Sequence, residues 1–309
     1  MGLGVGEKVL VIGGSGFIGS AIVEKAISLG FDVDSLGLSL PQFEKRKKNV
    51  TYLTADITNS ATLKILSDKD YKYIVNTGGY IDHKLFFNGG DDVLDAHFNG
   101  LVNIVNAIKI KNLSRFVNIG SSDEYGDVHA PQAEFERERP ITPYSLGKVA
   151  ASHFLQMLHK TENFPGVTLR LFLCYGPGQD SKRFLPYLIS QCLSDDEIRI
   201  SPGEQLRDYC YIDDIVDAVF NVFLNDTSNG KIFNIASGKP ISIRRVVEKM
   251  VNIIGSGKPK FGAVPYRVGE SMELYANIDL ARHKLSWVPK TDLQEGLEKT
   301  INYYRNLRL

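Results

Sequence analysis

Val9-Leu10-Val11-Ile12-Gly13-Gly14-Ser15-Gly16-Phe17-Ile18-Gly19 is the stretch that decides the fold. Four apolar residues run into glycines at 13, 16 and 19, and an amphipathic segment follows from Phe17. That order predicts a strand, a tight turn and a helix. Glycine at such a turn lets the backbone approach a pyrophosphate, whose charge is met by N–H groups at the helix N-terminus, and the last glycine lets helix and strand pack closely. A glycine motif carries this meaning only between a strand and a helix, and both are present here. Gly13, Ser15, Gly16, Phe17, Ile18 and Gly19 are therefore candidate cofactor contacts.

Outward from this turn, short apolar runs at 8–12, 33–36, 50–53, 73–76, 115–119 and 168–172 alternate with helical patterns at 17–29, 61–66, 92–110 and 143–161. Short buried strands joined by helices predict an α/β fold with a doubly wound parallel Rossmann sheet. After Tyr175 the rhythm breaks at Gly176-Pro177-Gly178. The reading is a dinucleotide-binding domain over 1–172 and, over 173–309, mainly a smaller mixed α/β substrate lobe, with a return to the main sheet near 208–236. Residues 292–308 read as a closing helix with leucine and isoleucine on one face.

The 309 residues are 43% hydrophobic and 23% charged, an ordinary globular composition. The 36 basic and 36 acidic residues cancel, so no summed field draws the chain to nucleic acid or to an anionic membrane. Recognition then falls to a built site. Cys174, Cys192 and Cys210 form no CxxC pair, which argues against a disulfide framework or zinc knuckle and fits a reducing, cytoplasmic setting. No apolar run approaches the ~20 residues of a membrane span, and Glu7-Lys8 ahead of the first strand is no signal-peptide pattern. The six histidines show no ligand spacing such as HExxH, so no metal centre is expected.

In a dinucleotide fold an acid at the end of the second strand binds the adenosine ribose of NAD. That position is Gly37, and Asp32 and Asp34 lie too early. Without the acid a 2′-phosphate meets no repulsion, and Ser39 with Lys45, Arg46, Lys47 or Lys48 offers donors and charge, so the cofactor reading is NADP or NAD with a lean to NADP. The same basic run also reads as a solvated loop.

Tyr144-Ser145-Leu146-Gly147-Lys148 sets a tyrosine and a lysine at i and i+4, on one face of a helix. A free phenol has a pKa near ~10, and a neighbouring ammonium lowers it, so Lys148 is expected to make Tyr144 a working acid or base. A third group is expected where a strand enters the crevice, and Ser121 follows the run 115–119. Ser121 and Ser122 also read as a serine-rich turn.

The GxxGxxG spacing resembles the short-chain dehydrogenase/reductase superfamily. With the motifs Tyr144–Lys148, Ala55-Asp56-Ile57, Leu169-Arg170-Leu171-Phe172, Tyr175-Gly176-Pro177-Gly178, Arg207-Asp208, Tyr211-Ile212-Asp213-Asp214, Arg267, Gly269-Glu270 and Leu285-Ser286-Trp287-Val288-Pro289, nearly the whole chain resembles the NAD-dependent epimerase/dehydratase family of nucleotide-sugar enzymes. The resemblance implies Ser121, Tyr144 and Lys148 as catalytic residues. It implies cofactor contacts from Asp56, Ile57, Thr77, Gly78, Gly79, His97, Phe172 and also from Tyr144 and Lys148, the lysine on the nicotinamide ribose, and substrate contacts from Ser121, Ser122, Arg207 and Arg267, the arginines on the diphosphate. It also implies a homodimer through the helices 92–110 and 143–161. Three positions depart from the family pattern. His97 replaces an asparagine, and reads either as a cofactor or backbone contact or as a plain helix histidine. Leu173 replaces another asparagine, and Thr77-Gly78-Gly79 stands for a small-residue pair.

Family chemistry begins with hydride transfer at a sugar carbon, most often C4. A 4,6-dehydratase adds a carboxylic pair after the serine, yet Ser121 is followed by Ser122 and Asp123, and only a one-residue gap would bring in Glu124. The wording Gly120-Ser121-Ser122-Asp123-Glu124-Tyr125-Gly126 resembles reductases of 4-keto-6-deoxy nucleotide sugars. The expectation is a 4-ketoreductase or 4-dehydrogenase, with a 4-epimerase as the alternative, a dehydratase behind both, and a cofactor-sensing binding module as the non-enzymatic reading.

Overall fold

The computed structural model describes residues 4–267 and 269–307. Its centre is a seven-stranded sheet whose strands all run parallel. β1 (Lys8–Ile12), β2 (Asp32–Gly37), β3 (Val50–Thr54), β4 (Tyr73–Asn76), β5 (Arg115–Ser121), β6 (Gly166–Leu171) and the strand Ile232–Ile235 lie in the order β3-β2-β1-β4-β5-β6 and then Ile232–Ile235. The order reverses between β1 and β4, and a ligand crevice forms at such a switch point, beyond the strands' C-terminal ends.

Two-residue alternation assigns each side chain a face. Val9 and Val11 join one buried cluster with Ile22, Val23, Val117 and Val219, whereas Leu10 and Ile12 join the other with Leu36, Ile74, Ile104 and Leu155. Both faces are covered, so β1 reads as a continuous apolar run. Truncating any of these leucines or isoleucines to alanine costs about 2–5 kcal/mol, because the packed sheet cannot close the void.

α1 (Phe17–Ser28) follows the glycine turn and packs beside the helix Ile212–Phe223. The expected helix at 61–66 is a single 3-10 run, Thr62–Leu66. The expected helix at 92–110 starts earlier, ends earlier and is interrupted: α2 (Gly90–Leu94) passes through a π turn at Asp95–Asn99 into α3 (Gly100–Ala107). Helical periodicity does not reveal such an inserted residue. α4 (Pro143–Glu162) is 20 residues long, with Thr142 as its N-cap and Pro143 at the first turn.

Beyond β6 the smaller elements gather at the crevice end. Glu197–Ile200 pairs with Lys258–Phe261, and Leu206–Arg207 lies between Ile241–Ser242 and Glu273–Leu274. Distant motifs meet here: the Asp214 carboxylate accepts from the backbone N–H of Lys290 (2.8 Å) and Thr291 (3.0 Å), and the Trp287 indole donates to the Asp214 carbonyl (2.9 Å). Among the described residues no helix is long and apolar enough to cross a membrane.

Candidate active site

β5 delivers Ser121 to the crevice, and a buried ionic group fixes the turn behind it. Ser121 Oγ accepts from the Asp123 N–H (3.2 Å), while Glu124 Oε1 accepts from the Ser121 N–H (2.9 Å). The other oxygen, Glu124 Oε2, accepts from Ser152 Oγ and from Arg170 Nε, each at 2.8 Å. Glu124 and Arg170 are fully buried. Glu124 therefore anchors the turn from beneath, and its oxygens are unavailable to a substrate.

α4 presents Tyr144 and Lys148 on its inner face. A reciprocal cap holds its first turn, with the Ser145 N–H donating to Thr142 Oγ1 (3.1 Å) and the Thr142 N–H to Ser145 Oγ (2.9 Å). Lys148 Nζ donates to the Ile119 carbonyl of β5 (2.7 Å). Burial pushes the Lys148 ammonium down to about 8, against the opposing pull of Glu124 and Asp123. Burial raises the Tyr144 phenol above its ordinary value and the Asp123 charge raises it further, while a hydrogen bond with the Ser121 side chain lowers it. The phenol's shift is thus upward, with burial its largest cause, where the sequence reading looks to Lys148 to bring it down; the Lys148 ammonium lies 5.9 Å from the phenol ring centroid and keeps two N–H groups beyond the one given to Ile119.

Two imidazoles flank the phenol. His97 meets the Tyr144 ring edge-on with centroids 4.9 Å apart, and His83 does so at 5.7 Å. His97 is buried and pushed down to about 3, first by desolvation and then by the Lys148 charge, so it is neutral. Its Nε2 lies 2.7 Å from the Tyr80 carbonyl, which makes Nε2 the protonated nitrogen.

The glycine turn has the shape of an anion cradle. Gly13 takes a left-handed conformation (φ 76°), where a Cβ would also crowd Thr77. A Cβ on Gly19 would overlap the Gly13 carbonyl. Gly16 caps α1 with no side-chain hydrogen bond, and the first turn carries no acid, so its N–H groups and dipole are left to a ligand. Ser15 and Gly16 are exposed, and Phe17 and Ile18 half-buried. Gly37 ends β2 beside Ser15 and Ser39, where a Cβ would lie 3.4 Å from Ser15 Oγ and 3.5 Å from the Ser39 carbonyl. Asp34 is remote from this point, buried against Tyr71 (2.7 Å) and Lys69 (3.0 Å). Ile57 reaches Gly78 and Gly100, and Asp56 Oδ1 accepts from Thr58 N (2.9 Å) and Oγ1 (2.8 Å). These residues fit a dinucleotide.

On the other side of the crevice Arg207 is nearly buried and paired with Glu270, and its Nη1 donates to the Leu206 carbonyl (2.8 Å). Arg267 is exposed, on the turn whose carbonyl accepts from the Glu270 N–H (3.0 Å). Ser122 is buried, and Phe172 packs on Tyr125 with centroids 6.3 Å apart. Arg183 is a residue sequence reasoning missed: its charge acts on both Asp123 and Tyr144. It lies in a polar stretch with no motif to flag it. Cys174 is the register partner of Cys210, and burial raises both thiols, which leaves Cys174 as packing.

The profile of the NAD dependent epimerase/dehydratase family matches residues 9–236. The chain belongs to this family. It is similar to a putative UDP-glucose 4-epimerase of Methanocaldococcus jannaschii, with 27% identity covering 96% of this chain and 98% of the relative. It is also similar to the dTDP-D-glucose 4,6-dehydratase of Homo sapiens, with 27% identity over 98% and 91%. A solved UDP-glucose 4-epimerase from Thermotoga maritima, bound to UDP-glucose, superposes with a TM-score of 0.90 at 26% identity, covering 98% of this chain and all of that one.

Against this epimerase/dehydratase background, two of the sequence departures prove to be neighbours. A Cβ on Gly79 would overlap the His97 imidazole, and Gly79 adopts φ 105°. The two positions are therefore in contact, and the backbone at 79 disfavours a side chain whatever stands at 97. The π turn completes the set by burying Ala96 and His97 together.

Proposed function

We propose that the protein is a 4-ketoreductase or 4-dehydrogenase acting on a nucleoside-diphosphate sugar, with NADP(H) as the preferred cofactor. The observation that carries the reaction class is the convergence of Ser121, Tyr144 and Lys148 at the end of β5, beside the glycine turn. A bound nicotinamide dinucleotide supplies hydride transfer. Tyr144 moves the proton on the C4 oxygen, Ser121 holds that oxygen by its hydroxyl, and Lys148 restores the phenol's proton balance through its ammonium. Arg207, Arg267 and Arg183 offer guanidinium donors suited to a diphosphate.

The dehydratase reading is weakened because Glu124 is buried in its ion pair with Arg170, which leaves Asp123 as the remaining carboxylate of the pair that elimination across C5–C6 needs. The NADP preference is supported by Gly37, which brings no carboxylate to Ser15 and Ser39. Of the basic run, Lys47 is paired with Glu24 (3.3 Å) and Arg46 Nε donates to the Pro41 carbonyl (3.0 Å), which leaves the Arg46 Nη groups free, so Ser39 with Lys45, Arg46, Lys47 or Lys48 remains the candidate phosphate set. The 4-epimerase reading is favoured by the names of several relatives. Analysis of nucleotide released on denaturation, with NADPH and NADH titrations, separates the two. Tighter NADPH binding to an exchanging site fits the reductase, whereas tightly retained NAD(H) fits the epimerase and removes the NADP preference.

Homodimerisation is proposed through α2, α3 and α4. The outward face of α4 carries exposed Leu146 and Met157, and Phe154 meets Phe98 of the neighbouring helix edge-on at 6.1 Å. An apolar face of this kind on a charge-balanced surface suits a second copy.

A further inference from the structure

His83 and Asp123 stand on the open side of the catalytic phenol and enter none of the roles above. His83 comes from the loop after β4, and its side chain is 51% exposed; Asp123 comes from the turn after β5, at 34%. His83 Nε2 and Asp123 Oδ2 are 3.9 Å apart, too far for a direct hydrogen bond. The His83 ring meets Tyr144 edge-on at 5.7 Å, and the Asp123 charge acts on the Tyr144 phenol. The contrast with the next residue is sharp: Glu124 has both oxygens committed in the interior, whereas the Asp123 carboxylate is one-third exposed beside His83.

A donor and an acceptor at this separation can share one hydroxyl between them. Two hydrogen bonds of ~2.8 Å meeting on one oxygen near the tetrahedral angle span about 4.6 Å, so a gap slightly shorter accepts an oxygen with modest angular closure. We propose that His83 and Asp123 are a specificity-determining pair that holds one sugar hydroxyl, Asp123 accepting and His83 Nε2 donating. The hydroxyl follows from the chemistry at Tyr144. In a hexopyranose C4 has two ring neighbours, and of these C3 alone bears a hydroxyl, since C5 carries the exocyclic carbon. The pair therefore reads the 3-hydroxyl of the sugar whose C4 reacts. This rests on the proposed C4 chemistry.

A site that hydrogen-bonds a substrate hydroxyl rejects the analogue lacking it, because its polar groups are then desolvated without partners. The probes are 4-keto-6-deoxyglucose and 4-keto-3,6-dideoxyglucose, each supplied as the UDP and the dTDP derivative with NADPH and NADH. The expected kcat/KM ratio, 3-hydroxy over 3-deoxy, is about 100-fold for the wild type. It should fall to within about threefold in His83→Phe and in Asp123→Asn, and recover in part in His83→Gln, which retains a donor. A wild-type ratio near one, or a ratio unchanged in both variants, overturns the proposal while leaving C4 reduction standing. A wild type that reduces neither sugar overturns the functional reading, and this inference with it.

Discussion

Tyr144 carries its proton in a setting that resists ionisation. Burial comes first, and the carboxylate of Asp123 adds to it, so removing that charge should ease ionisation. Asp123→Asn is expected to lower the apparent pKa of the base limb in the pH profile of kcat/KM for sugar oxidation; a limb that stays in place or rises would show that Asp123 does not act on the phenol. His97 makes a separate pH prediction. Its folded pKa of about 3 lies below the ordinary value of 6.5, so between those values the unfolded chain binds the proton and the native one does not. Stability is then fully present above about pH 6.5 and is lost as pH falls toward 3. Denaturant titrations across that window should show a shallower acid loss for His97→Asn than for wild type, and equal slopes would mean that His97 is protonated in the native state.

The legibility of the site ended at this scale. Tyr144, Lys148, Ser121 and the glycine turn sit in local patterns whose spacing states their geometry. His83, Arg183 and the coupling of Gly79 to His97 depend on segments far apart in the chain meeting at the crevice, and no local spacing encodes that. The anchoring role of Glu124 was not legible for the same reason, since its partner Arg170 is 46 residues away. The phenol's upward shift was equally invisible, because a motif does not say how deeply it is buried.

At the scale of elements, β1, β4 and the ends of α1 and α4 match the apolar pattern closely, because the strands are buried on both faces and read as continuous apolar runs while the helices bury one regular face. The segment from α2 to α3 does not, since the π turn there serves His97 rather than the helix period. The tight contact of that turn with the loop after β4 makes Gly79 a sensitive point. Gly79→Ala pairs a strained backbone with an overlap, and should destabilise the protein by about 2 kcal/mol or more in chemical denaturation. Adding His97→Asn removes the overlap but not the strain, and should recover part of the loss. A fully tolerated Gly79→Ala would refute the steric coupling.

At the scale of the whole molecule, the sheet's switch point gathers the glycine turn, the ends of β4 and β5 and the start of α4 on one side, while Arg207 and Arg183 approach from the smaller elements. The outward face of α4, with exposed Leu146 and Met157, is the surface proposed to meet a second copy. In sedimentation equilibrium the wild type is expected as a dimer, and Leu146→Lys with Met157→Lys should shift it to monomer; a wild type already monomeric at micromolar concentration would contradict that assembly.

The most direct test of the central account is deuterium tracing. NADPH or NADH carrying deuterium in the transferable position would be incubated with a nucleoside-diphosphate 4-keto-6-deoxyhexose, and the product examined by NMR in wild type and in Tyr144→Phe. The account predicts deuterium at C4 of the sugar, delivered by wild type and slowed by about 100-fold or more in the variant, the usual worth of a general acid. Absence of deuterium from C4, or equal rates for the two proteins, would contradict it.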